Sequence, residues 1–275
     1  MTQNKDASRT TLTFDLLDNI AELTPTELAG LLRNPVSGIG PLVELVYRAG
    51  RLLPALSVQD ACTEARLLLR QLSNQEKRPA STTSFTPLPV EFSAIPGTKS
   101  EFNEVAWSTF CTRMQKAGER AGVDRRLAQA LAGSLDEMAS NALEHSGNIT
   151  NSIAGYRWRP GDFEYIVSDS GIGVLSSLRT NIEYKWISDS GRALEVAIKD
   201  GESRYGKGTG RGMGFHDLTI NIARRGSCLR FRTGDHALII DGTDGIIREE
   251  LRQTGNFDGF LVSVALEGQP TKNPA

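Results

Sequence analysis

Ser134-Leu135-Asp136-Glu137-Met138-Ala139-Ser140-Asn141-Ala142-Leu143-Glu144-His145-Ser146 is the stretch on which the reading of this chain turns. At 100° per residue, Leu127, Leu131, Leu135, Met138 and Ala142 share one stripe of a helix. Glu137 and Asn141 are four residues apart, which makes them axial neighbours on a helix surface. Their face borders the apolar stripe, so both sit at the rim of a core, where a pocket can form. An Asn amide oxygen is a hard ligand suited to Mg²⁺, which takes few protein ligands besides phosphates and water. A carboxylate beside it can accept a proton from water or a hydroxyl. Taken alone, the pair is accounted for by a solvated helix face.

Two further elements follow in order. Phe163-Glu164-Tyr165-Ile166-Val167-Ser168 reads as a strand that delivers Asp169 to a turn, Asp169-Ser170-Gly171-Ile172-Gly173. A partly desolvated carboxylate at a strand end accepts hydrogen bonds well, and an adenine amino group is a suitable donor. Gly171 and Gly173 permit positive φ and close approach of a base. An ordinary Asp/Gly turn is the alternative. Then Gly206-Lys207-Gly208-Thr209-Gly210-Arg211-Gly212-Met213-Gly214 alternates glycine up to a helix start. Bare backbone N–H groups and a helix N-terminus make an anion site, with Lys207, Arg211 and Arg204 adding charge. A surface loop is the alternative. It is not a Walker loop, because Gly-Lys lacks the following Ser/Thr. Together the elements supply metal ligand and base, adenine acceptor and phosphate cradle, which sum to an Mg·ATP site.

The flanks are simpler. Thr24-Pro25-Thr26-Glu27 carries a capping box with proline at the first helical position, and that helix should stop at Asn34-Pro35. Residues 43–53 and 61–72 extend the helical pattern. Residues 1–78 therefore read as a helical N-terminal region for dimerisation or partner docking, and 79–86 as a linker. Residues 87–267 read as an α+β domain with a mixed, mostly antiparallel sheet and helices on one face, and 268–275 as a tail. Within it, Ser100 is the expected cap of a helix over 101–118, and Asp124 that of a helix reaching His145. The spacing predicts strands at 90–95, 149–158 and 163–169, and a helix over 191–199. A hairpin of 228–233 and 237–241 is expected around Gly234-Asp235, then a loop over 242–258 and a last strand at 259–266. The βαβ unit of a dinucleotide fold is missing.

Composition narrows the function classes. A net charge of −2 over 275 residues leaves no electrostatic footprint for nucleic acid or an anionic membrane. No apolar run approaches a membrane span. The polar N-terminus does not resemble a signal peptide. Three scattered cysteines, Cys62, Cys111 and Cys228, suggest reduced cytoplasmic thiols. The three histidines show no ligand spacing.

The ordered set resembles the GHKL superfamily of ATPases (gyrase, heat-shock chaperone, histidine kinase and mismatch-repair types) and its Bergerat ATP-binding fold, a two-layer α/β sandwich. Residues 136–146 look like the N box, 169–173 like the G1 box and 210–214 like the G2 box. The resemblance implies that Asn141 coordinates Mg²⁺, Glu137 activates water or the acceptor, and Asp169 binds the adenine amino group. Asn141, Asp169, Gly171, Gly173, Lys207, Gly208, Thr209, Gly210, Arg211, Gly212, Met213 and Gly214 would bind the nucleotide, under a lid formed by residues 174–209. Many members place a threonine in the last strand near the adenine; this chain has Phe260 after Gly259. No histidine precedes His145, so autophosphorylation on a helical hairpin is not expected, and about sixty residues after the G2 box leave no room for a transducer domain. The likeness is to stand-alone regulatory members such as the anti-sigma-factor serine kinases. It implies a trans-acting serine/threonine kinase or ATPase switch with a protein partner. The alternative is a non-catalytic ATP-binding module whose lid controls that partner.

Overall fold

The computed structural model of the protein describes residues 11–20, 22, 24–50, 61–73, 84–96, 98, 101–145, 152–198 and 226–267. Four N-terminal helices come first: α1 (Phe14–Asp18), α2 (Pro25–Arg33), α3 (Ile39–Ala49) and α4 (Thr63–Ser73). β1 (Val90–Ile95), α5 (Glu104–Ala121) and α6 (Arg125–His145) follow. The hairpin β2 (Ser152–Arg159) and β3 (Asp162–Asp169) leads into α7 (Gly173–Leu178), a short 3₁₀ turn (Ile182–Tyr184) and α8 (Ser190–Ile198). β4 (Ser227–Asp241) and β5 (Arg248–Glu267) close the sheet. Its order is β1-β2-β3-β5-β4, and every pairing is antiparallel. The α+β class is the one expected, with the sheet antiparallel throughout the described residues.

Local signals act where the sequence placed them. Thr24 and Glu27 cap α2 reciprocally, Pro25 opens it, and it ends before Pro35. Asp124 accepts from the amides of Arg126 and Leu127 at the start of α6. The cap of α5 is Asn103, which accepts from Ala106 N, rather than Ser100. Another departure is larger. Residues 228–241 form one strand, and residues 248–258 are strand rather than loop. Gly234, with φ of +54°, is a bulge within β4, and the reversal comes at Gly242–Gly245. A Gly-Asp pair serves a bulge and a turn equally well, so local chemistry did not separate them.

The strand period of two divides the sheet's side chains between two cores. On one face Phe163, Tyr165, Val167, Phe231, Val262 and Val264 pack under α5 and α6. On the other, Phe92, Ile153, Ile166, Phe257 and Leu261 join Leu28, Leu42, Val46 and Leu68 of the N-terminal helices. Helices therefore cover both faces. The helical region expected to precede the sheet as a separate unit buries its apolar stripe against the sheet itself.

Polar ties fix this second face. Gly38 precedes α3 and offers no side-chain cap. The carboxylate of Glu164, on β3, takes that place: its two oxygens accept from Ile39 N and Gly40 N, each at 2.7 Å. Arg157 lies 3.7 Å from the same carboxylate. Burial pushes the Glu164 carboxyl up, while Arg157 and the two amides oppose that shift. Farther along α3, fully buried Glu44 bridges Arg230 and Arg232 of β4, each at 3.2 Å. Arg230 also pairs with Asp18 of α1.

Glu164→Ala would leave two helix-end amides uncapped and take from Arg157 one of its two carboxylate neighbours, Asp162 remaining at 3.2 Å. It should cost about 3 kcal/mol of stability, read as a lower urea midpoint. A midpoint equal to the parent's would mean that α3 is not held by this carboxylate.

Candidate functional site

Asp169 ends β3 and is only 5% exposed. Its Oδ1 accepts from Gly171 N at 2.8 Å, which folds the following turn back on the strand end. Among the described residues the second oxygen accepts no hydrogen bond. Burial raises the carboxyl well above its ordinary value, to about 6, and the Gly171 amide only partly offsets this. The result is an acceptor held in place at a buried strand end, with its second oxygen open to a further donor.

The glycines of the turn are there for close approach. Gly173 has φ of +73°, and a Cβ on it would lie 2.9 Å from Thr233 Oγ1 and 3.3 Å from the Gly259 carbonyl oxygen. Gly259, with φ of +90°, packs its bare Cα against the backbone of Asp169; a Cβ there would penetrate the Asp169 carbonyl. Thr233 is buried between these segments. Its hydroxyl donates to Gly259 O at 2.7 Å and accepts from Val174 N at 3.2 Å.

Glu137 and Asn141 lie on α6, both half-buried. Gly118 packs against Ala128 and Phe163, and Ser134 Oγ is 2.8 Å from Tyr165 Oη. As β3 advances from Phe163 to Tyr165, α6 thus advances from Ala128 to Ser134. Asn141 lies about 10 Å of helix beyond Ser134, and Asp169 about 13 Å of strand beyond Tyr165. The two elements carry their polar residues toward the same end of the molecule. Met138 and Ala142 belong to the same buried core as Val167. Burial raises the Glu137 carboxyl, a shift that suits a proton acceptor.

Other expected residues fall elsewhere. Lys207, Gly208, Thr209, Gly210, Arg211, Gly212, Met213 and Gly214 lie outside the described residues, as does the lid segment from 199 to 209. The earlier part of that lid is packed structure. Leu178, Tyr184, Ile187, Ala193 and Val196 form a small core of their own. α8 seats on β4 and β5, with Gly191 closely apposed to His236 and Leu251. Phe260 is the cross-strand partner of Asp169, so the two side chains share a face. Its ring stacks with Phe231 at 6.5 Å. Thr233 was missed in the sequence because Thr-Gly-Asp read as a hairpin turn.

Competing chemistry finds little support. Among the described residues, no three His, Cys, Asp or Glu side chains group to hold a metal. The Cys111 thiol, pushed up to about 12 by burial, is no nucleophile. No described helix is long and apolar enough to cross a membrane. Comparison with known proteins found no matching family model and no matching curated protein.

The raised Asp169 pKa has a signed consequence. The folded state binds this proton more tightly than the unfolded chain, whose value is about 3.9. The associated stability is fully present below about pH 4 and is lost as pH rises through about 6. At neutral pH the ionised carboxylate costs the fold about 3 kcal/mol. Asp169→Asn keeps the acceptor for Gly171 N and removes the charge. It should raise the melting temperature most near pH 7.5, by clearly less near pH 4.5, and hardly at all below pH 4. An Asn variant no more stable than the parent at pH 7.5 would contradict this account.

Proposed function

We propose that this chain is an Mg·ATP-binding regulatory protein of the GHKL type, with the Bergerat arrangement of its nucleotide site. The observation that carries the reading is Asp169. A largely buried carboxylate with one oxygen held by the Gly171 amide and the other open to a ligand's donor suits the exocyclic amino group of adenine. Gly259 and Gly173 pack the turn tightly from behind, Gly259 on the Asp169 backbone and Gly173 on Thr233, which holds that carboxylate in place. The protein would stay in the cytoplasm and act in trans on a protein partner.

Asp169 would orient the base, and Glu137 would take the proton of the attacking water or partner hydroxyl. The amide oxygen of Asn141 would hold the metal, whose charge, when bound, offsets that on the phosphates. Residues 207–214 would contribute their backbone amides to those phosphates. On this reading the protein is a serine/threonine kinase or ATPase switch, and the half-buried, proton-hungry Glu137 supports it.

A non-catalytic ATP-binding module is the second reading. Exposed Ile182 and Trp186 on the packed unit beside the site favour it, since they offer a surface that nucleotide could control.

Calorimetry with ATP and Mg²⁺, and γ-labelled ATP with candidate partners, separate the two. Asp169→Asn should weaken ATP binding at least tenfold at neutral pH, because an amide cannot match a charged acceptor. Glu137→Ala should bind ATP like the parent and lose transfer and hydrolysis. Parent-like ATP affinity in Asp169→Asn would refute the adenine assignment; full turnover in Glu137→Ala would assign the base elsewhere.

A further inference from the structure

The point where three segments meet behind Asp169 is a single hydroxyl. Thr233 is 2% exposed, so its hydroxyl has no recourse to bulk water. It donates to Gly259 O of β5 and accepts from Val174 N, the first residue beyond the Asp169–Gly173 turn. The same Gly259 is pressed on the backbone of Asp169, and Gly173 is pressed on Thr233 itself. The turn therefore contacts the sheet through Asp169 at one end and through the Thr233 hydroxyl at the other.

Thr233 stands where it does because β4 bulges. The register shifts on both sides of Gly234, whose φ is +54°. Arg232, fully buried, holds the bulge open from the opposite face. Its Nη1 donates to Gly234 O at 2.6 Å and His236 O at 2.9 Å, and its Nη2 donates to Gly255 O. Its Nε meets Glu44 of α3 at 3.2 Å. A guanidinium planted on four carbonyls, Thr233 O at 3.5 Å among them, and a carboxylate fixes local backbone that a regular ladder would not.

We propose that Thr233 is the positioning residue of the candidate site: its hydroxyl holds the turn bearing Asp169, Gly171 and Gly173 against β4 and β5, and so sets the carboxylate that recognises the nucleobase. This rests on the nucleotide-binding reading. Thr233 touches no ligand; it acts through Val174 and Gly259. Removing the hydroxyl leaves a partly buried amide and a buried carbonyl without their partner, and the turn is then free to drift.

Thr233→Ala removes the hydroxyl without crowding Gly259, and Thr233→Ser restores it. Three measurements on the full chain test the proposal: ATP affinity by calorimetry with Mg²⁺, hydrogen exchange at Val174 N–H, and the Asp169 titration by NMR. In the Ala variant, ATP should bind about tenfold more weakly and Val174 should exchange at least tenfold faster, while the Ser variant should match the parent in both within about twofold. The Asp169 midpoint, near 6 in the parent, should fall in Ala as water reaches the carboxylate, and hold in Ser. Unchanged exchange at Val174 in the Ala variant overturns the proposal, as does a Ser variant no better than Ala. A parent that binds no ATP overturns the nucleotide reading instead. In that case the Asp169 midpoint decides alone, and an unmoved midpoint in Ala overturns the positioning role. If Thr233→Ala does not fold, Thr233→Val provides the hydroxyl-free arm of the same comparison.

Discussion

A carboxylate from the middle of the chain caps a helix near its start. Glu164, in the centre of the sheet, accepts from the first amides of α3 and does what Gly38 cannot. A helix N-terminus presents unpaired donors and a partial positive charge, and in a buried setting both need an answer. Here the answer lies 125 residues away in sequence. It fixes α3 in position on the sheet, and α3 in turn carries Glu44 to Arg230 and Arg232 and brings Tyr47 against Phe257. The cover of the second sheet face depends on that seat.

The same layer reaches the candidate site from behind. Glu44 meets Arg232, Arg232 shapes the β4 bulge, and the bulge presents Thr233 to the turn after Asp169. Each link is a hydrogen bond between buried or partly buried groups, and such polar groups tolerate few alternative arrangements. An N-terminal region with no chemistry of its own thus bears on the shape of a site built by other elements. Burial of Asp169 works against the fold at neutral pH, and that strain is characteristic of a residue kept for binding rather than for stability.

Much of the scaffold was legible in the chain. The capping box at Thr24, the long amphipathic α6, the hairpin β2–β3 and the placement of Asp169 at a strand end all rest on local chemistry that tertiary packing did not override. The β4–β5 hairpin was misread because a glycine-aspartate pair permits positive φ for a bulge as readily as for a turn. In the first half of the expected lid the helix at 191–199 was legible, but its small core was not, because Leu178, Tyr184 and Ile187 find their partners only when α7 and α8 fold together.

The sequence by itself determined what is periodic or capped: where most helices begin, which faces are apolar, and that Glu137, Asn141 and Asp169 are candidates for chemistry. Only the tertiary structure decided what depends on distant partners. It placed α1–α4 on the sheet instead of beside it, paired Phe260 with Asp169, and put Thr233 at the junction of three segments. The physical reason is range. Backbone propensity and hydrophobic period act over a few residues, whereas a buried carboxylate or hydroxyl is defined by whichever donors and acceptors the fold brings within about 3 Å of it.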